Sequence, residues 1–122
     1  MPKIVAMGRR PFVGCFAAVG AAPFRCDTPQ AFDEAASRLL AGEKPALVLM
    51  DLALPDMDGL EVVRALKLHR ELQDVPVIAV TAYTQRADEE RARTGGCAGF
   101  LAKPVKLGEL LRMARSLLGL DP

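Results

Sequence analysis

The chain is predicted to fold as an α/β domain, with helices crossing over a parallel β-sheet. Three observations predict this. Short continuous apolar runs recur, among them Ala46-Leu47-Val48-Leu49-Met50 and Val77-Ile78-Ala79-Val80. Longer segments between the runs carry apolar residues at helical spacing. Three runs end in residues that bear chemistry: Asp51, Thr81 and, after Phe100-Leu101-Ala102, Lys103. Continuous apolar runs suit strands buried on both faces, as parallel strands flanked by helices are.

The elements follow in order. Lys3 to Met7 reads as a first strand. A helix from near Pro11 places Phe12, Cys15, Phe16 and Val19 at i, i+3, i+4 and i+7, and Gly20 stops it. A short second strand runs from Phe24 to Cys26. Thr28-Pro29 then reads as a helix cap followed by a first-turn proline. That helix carries the cleanest apolar stripe, Phe32, Ala35, Ala36, Leu39 and Leu40, and Gly42 closes it. The third strand is Ala46 to Asp51. Asp58-Gly59-Leu60-Glu61, an acidic cap with glutamate three residues on, opens a third helix through about Arg70.

The fourth strand is Pro76 to Thr81. The segment Gln85 to Gly96 is helix-prone, yet its apolar side chains are only Ala87 and Ala92 against six charged residues. Such a helix has little to bury and is expected to be held loosely. A fifth strand spans about Ala98 to Ala102. The last helix carries Leu107, Leu110, Leu111, Ala114, Leu117 and Leu118.

Composition bounds the function. The chain has 122 residues, 51% hydrophobic and 25% charged, which suits one globular domain over residues 1–122. No apolar run approaches the roughly 20 residues that a membrane span needs. A net charge of +1, with no basic stripe interleaved with aromatics, gives no footprint for nucleic acid. Cys15, Cys26 and Cys97 are odd in number and widely spaced. This fits a reducing, cytoplasmic setting, with buried or half-buried structural thiols and no metal spacing.

In an open parallel sheet the C-terminal strand ends lie side by side, where ligands bind. A carboxylate at Asp51, a hydroxyl at Thr81 and an ammonium group at Lys103 suggest phosphoryl transfer to a carboxylate. Asp51 is the candidate acceptor, and Thr81 and Lys103 would hold phosphoryl oxygens. Asp56 and Asp58 are explained by turn formation and capping rather than by a calcium loop. Gly8 to Gly14 matches neither dinucleotide-binding nor P-loop spacing.

With these residues in view, the chain resembles the receiver domain of two-component response regulators. The carriers are Asp51, the loop Leu54-Pro55-Asp56-Met57-Asp58-Gly59, Thr81-Ala82 and Lys103-Pro104. Gly95-Gly96-Cys97, preceded by Asp88-Glu89-Glu90-Arg91, is especially similar to single-domain receivers of the DivK type. The resemblance implies a flavodoxin-like (βα)5 doubly wound parallel sheet in the order 2-1-3-4-5. It implies Asp51 as phosphoacceptor, Thr81 and Phe100 as switch residues, and Lys103 as the phosphoryl-contacting cation. It also implies a cis Lys103-Pro104 bond and an output surface of the fourth helix, fifth strand and fifth helix. The partners it implies are a sensor histidine kinase, a phosphotransfer protein or another protein, with the chain a monomer or weak dimer and not itself an enzyme.

One match fails. Receivers place two acidic residues just after the first strand, where they bind Mg²⁺ together with the phosphoacceptor. Here Met7 and Gly8, or Gly8 and Arg9, stand at those places. A hard dication wants carboxylate oxygens, so Mg²⁺ binding to Asp51, with at most the Ala53 carbonyl beside it, is expected to be weak or absent, and no other cofactor is expected. Arg9 and Arg10 are either solvated loop residues or the source of a guanidinium that replaces the metal's charge beside Asp51. Two functions therefore compete: a phosphoryl-accepting switch, and a pseudo-receiver that docks proteins without phosphorylation or Mg²⁺. A phosphatase of the haloacid dehalogenase type is more distant, because Ala53 stands where that family needs a second aspartate.

Overall fold

The computed structural model describes residues 3–17, 20–26, 28–42, 44–52, 58–82 and 86–119. The first βα unit is β1 (Ile4–Gly8) and α1 (Arg10–Ala17); the second is β2 (Ala22–Arg25) and α2 (Pro29–Ala41). Then come β3 (Leu47–Asp51), α3 (Gly59–Lys67), β4 (Val77–Thr81), α4 (Arg86–Thr94), β5 (Gly99–Ala102) and α5 (Leu107–Leu117). Val19, the loop from Ala53 to Met57 with Asp56, Tyr83 and the Gln85 start of the polar helix lie outside the described residues.

The five strands form one parallel sheet in the order β2-β1-β3-β4-β5. Every residue of β3 and β4 is buried, because helices cover both faces of the sheet centre. Alternation along the strands divides the core. Val5, Met7, Val48, Met50, Val77 and Ala79 face α2, α3 and α4, where they meet Leu39, Leu60, Val63 and Ala92. Ala6, Leu47, Leu49, Ile78, Val80 and Leu101 face α1 and α5, where they meet Phe12, Val13, Leu110 and Ala114.

The capping signals are realised. The Thr28 hydroxyl accepts from the Ala31 N–H at 3.0 Å, and Gly42 caps α2 at its other end. The Asp58 carboxylate accepts from the Leu60 N–H at 3.0 Å. The helix it opens stops at Lys67, short of Arg70, and a separate 3-10 turn covers Arg70–Leu72. The Lys67 ammonium explains this early stop. It donates to the Gln73 carbonyl at 3.2 Å and to the Val75 carbonyl, tying the helix end to the entry of β4.

Helical stripes were less faithful to burial. In α1, Phe12 and Val13 are buried, Phe16 is half-buried and Cys15 is exposed, so this first cysteine is not a buried structural thiol. In α5, Leu110 and Ala114 are buried, but Leu107 and Leu111 are 58% and 47% exposed. Leu107 lines an open cavity between α5 and α1. In α4, Ala92 is buried and the described side chains around it, Glu89 to Arg91 and Arg93 to Thr94, are exposed.

Candidate functional site

The sheet register builds the site. Met7 pairs with Met50, so Gly8, the next residue, lies beside Asp51. Asp51 pairs with Val80, and Thr81 with Ala102. The ends of four strands therefore converge on Asp51, at the carboxyl edge of the sheet.

Asp51 is fully buried, at 0% exposure. Ionised groups are almost never buried to this degree unless they are paired. Two described cations contact it, one on each oxygen. The Lys103 ammonium donates to Oδ1 at 2.9 Å. The Arg9 Nε–H donates to Oδ2 at 3.2 Å. The lysine's contact has the length of a charge-assisted hydrogen bond, and the arginine's is longer. Lys103 is held from two other sides. Its N–H donates to the Thr81 carbonyl at 2.8 Å, and its ammonium lies 5.5 Å from the centre of the Phe12 ring. The Lys103-Pro104 bond is cis.

Two glycines allow this density. A Cβ on Gly8 would stand 2.5 Å from the Asp51 Cβ and 3.0 Å from Phe12 Cδ1. A Cβ on Gly59 would stand 2.6 Å from Leu52 Cα and 2.9 Å from the Asp51 carbonyl. The first glycine lets β1 close on the carboxylate; the second lets the start of α3 close on the end of β3.

The sequence-predicted residues separate into three groups. Asp51, Lys103 and Arg9 come together in direct contact. Thr81 is buried at the end of the adjacent strand, one residue past the register partner of Asp51. Phe100 is half-buried on β5, packed against the core under α4 and facing a groove shared with Glu89, Arg93, Cys97 and Met113. Met7 is buried in the α2–α4 core, away from the site. Arg9 reaches Asp51; the Arg10 side chain lies outside what the structure describes.

Sequence reasoning missed the cavity beside the site, about 410 Å³ in volume. Phe12, Phe16, Val105 and Leu110 give it apolar walls, and Arg9 and Lys103 stand at its inner end. The Phe12 and Phe16 rings are 4.8 Å apart and tilted by 56°. Their i, i+4 spacing was the available signal.

A receiver fold raises the matter of Mg²⁺. The donor set here is one carboxylate already bonded to an ammonium and a guanidinium. Among the described residues no cluster of three or more His, Cys, Asp or Glu is placed to hold a metal. Two cations within bonding distance of the one carboxylate there among the described residues repel a dication, so these residues do not fit it.

A five-stranded 2-1-3-4-5 sheet with a buried aspartate at its carboxyl edge, and a lysine from the fifth strand upon it, defines a receiver-type signalling domain. The family description "response regulator receiver domain" matches residues 23–115, and the chain belongs to that family. The match begins in β2, which leaves β1 and α1, with Gly8 and Arg9, outside it. The chain is 47% identical over 75 residues to the polar-differentiation response regulator DivK of Brucella ovis, and 46% identical over 76 residues to that of Brucella anthropi. The aligned stretch is 62% of this chain, and about 61% of the length of these curated relatives.

Among solved structures, the chemotaxis protein CheY4 of Vibrio cholerae superposes with a TM-score of 0.79 at 19% identity, over 96% of this chain and 98% of that one. The receiver domain of a sensor histidine kinase from Pseudomonas aeruginosa, with magnesium ion coordinated in its active-site cleft, superposes with a TM-score of 0.74 at 24% identity. That match covers 98% of this chain and 99% of the other. These likenesses establish the fold.

Proposed function

We propose that this receiver works in a two-component phosphorelay as a protein-docking module whose Asp51 is held by Arg9 and Lys103 rather than by Mg²⁺. The observation that carries this reading is the occupation of both Asp51 oxygens by cations, in a residue with no solvent exposure. To accept a phosphoryl group, one carboxylate oxygen must attack phosphorus in line with the leaving group. Here the attacking oxygen must first part from a guanidinium or an ammonium. Without a metal bridging donor and acceptor, much of the charge stabilisation of phosphoryl transfer is lost. Output passes through the surface of α4, β5 and α5, where Phe100 lies between the two helices. The partners are a sensor histidine kinase, a phosphotransfer protein or another protein of a cytoplasmic pathway.

A second reading is favoured by the retained Lys103 contact and the buried Thr81. In it Asp51 is a slow phosphoacceptor, and Arg9 supplies positive charge during transfer. Incubation with acetyl phosphate and Mg²⁺ separates the two. The carboxylate would attack phosphorus, acetate would leave, and intact mass would rise by one phosphoryl group. The docking reading expects no labelling, with or without Mg²⁺, and partner binding that survives Asp51→Asn. Fast stoichiometric labelling, abolished by Asp51→Asn, would overturn it. Slow labelling unaffected by Mg²⁺ would establish the second reading.

A further inference from the structure

The geometry points to a binding site for a small aromatic monoanion in the cavity between α1 and the start of α5, with its charged head on Arg9 and its apolar body between Phe12, Phe16, Val105 and Leu110. Two independent observations carry this. The first is shape and lining. The cavity holds about 410 Å³ and is walled mainly by apolar side chains, with polar groups confined to one end. Small-ligand sites are built this way, in the volume range of roughly 300–1,000 Å³. The second is charge. Among the described residues, Arg9 and Lys103 are two cations against the one carboxylate of Asp51, an excess positive charge that one anion would neutralise.

Donor inventory sharpens the choice of head group. A guanidinium has five N–H donors. Among the described residues Arg9 spends only Nε–H, on Asp51, so its two terminal NH₂ groups are available to a carboxylate. A ligand carboxylate would add to the ion pair without displacing it. The side chain is 43% exposed, so it can be reached from the cavity. The tilted Phe12–Phe16 pair offers an aromatic body the edge-to-face contacts that rings prefer.

This inference does not depend on how Asp51 is used in signalling, because binding is read directly. The probes are 2-naphthoate, its neutral counterpart 2-naphthylmethanol, and acetate, each titrated calorimetrically into the full chain. We expect 2-naphthoate to bind at least about tenfold more tightly than the alcohol, the discrimination that a hydrogen bond to a charged group supplies. Acetate, which lacks the apolar body, should give no measurable heat. Arg9→Gln should bring naphthoate down to the affinity of the alcohol. Cys15→Phe places a ring into the cavity from an exposed helix position, so it should fold even if Arg9→Gln does not, and it should abolish binding of both aromatics. Equal affinity for acid and alcohol, no binding of either, or unchanged naphthoate binding by Cys15→Phe would overturn the assignment.

Discussion

Removing the Arg9 guanidinium while keeping a polar, uncharged side chain, as in Arg9→Gln, tests the site most directly. Breaking a buried ion pair costs roughly 3–5 kcal/mol, whereas an exposed pair contributes about 0–1 kcal/mol. This pair is mixed: the Asp51 side chain is 0% exposed and that of Arg9 43%. Lys103 also remains on the other oxygen after the substitution. The expected loss is therefore about 1–2 kcal/mol, between the two limits. For a domain of this size it lowers Tm by roughly 3–10 °C. The assay is urea and thermal unfolding followed by far-ultraviolet circular dichroism, since the chain has no Trp. The decisive measurement is a double-mutant cycle with Asp51→Asn. In the asparagine background Arg9 faces Lys103 without a carboxylate between them, so Arg9→Gln should cost nothing or stabilise. A coupling energy below about 0.5 kcal/mol, the range in which independent sites add, would refute the ion pair as the reason for Arg9's position.

Four further outcomes follow from other parts of the structure. Gly8→Ala puts a methyl group 2.5 Å from the Asp51 Cβ, so it should cost more than about 2 kcal/mol by overpacking, or prevent folding, as read from the urea midpoint. Asp58→Ala removes the cap of α3 and should cost about 1 kcal/mol, with little added by the loss of its exposed pair with Arg91. Alkylation with iodoacetamide at pH 8 should modify Cys15 first, because Cys26 and Cys97 are buried, and mass spectrometry of digests will show the order. Burial raises the Cys97 thiol from an ordinary 9.0 to about 11, against the pull of Lys67. Between those values the unfolded chain releases a proton that the folded chain keeps, so stability should fall as pH rises from about 9 to 11. Lys67, lowered by burial, titrates in the opposite sense, so the urea midpoint is compared with that of Cys97→Ala, in which the fall should vanish.

The sheet was legible because its strands are buried on both faces. Continuous apolar runs such as Leu47-Val48-Leu49-Met50 have few other uses in a soluble chain. Helix starts were legible where a cap spoke for them, at Thr28 and Asp58. Stops were less so: α3 ends at Lys67, whose ammonium bonds carbonyls six and eight residues further on, contacts that helical spacing does not announce. Helical spacing identified α1 and α5 but not which residues face inward. Tertiary packing decides that: Cys15 is exposed, and Leu107 lines the open cavity. At the site, the spacing of Asp51, Thr81 and Lys103 was readable, as was the lack of acids after the first strand. The contact of Arg9 with Asp51 was not, since only the β1–β3 register places Arg9 over Asp51. The cavity is wholly tertiary, since its lining comes from α1, β4, the segment after β5 and the start of α5.

The closeness of Gly8 to Asp51 has a consequence for the routes by which such a domain can change. Gaining an acidic residue at that position takes a single substitution in the sequence. In the folded chain the new side chain would begin inside the van der Waals envelope of Asp51, and its negative charge would meet the aspartate's before any cation could separate them. Exchanging Arg9 for an acid meets no such steric obstacle, but it leaves two carboxylates with Lys103 alone to offset them among the described residues. A metal-binding ancestor or descendant is thus separated from this chain by an intermediate that is strained or overcharged whichever substitution comes first. The glycine acts as a ratchet, holding the domain in its arginine-clamped form unless the backbone of the first strand moves as well.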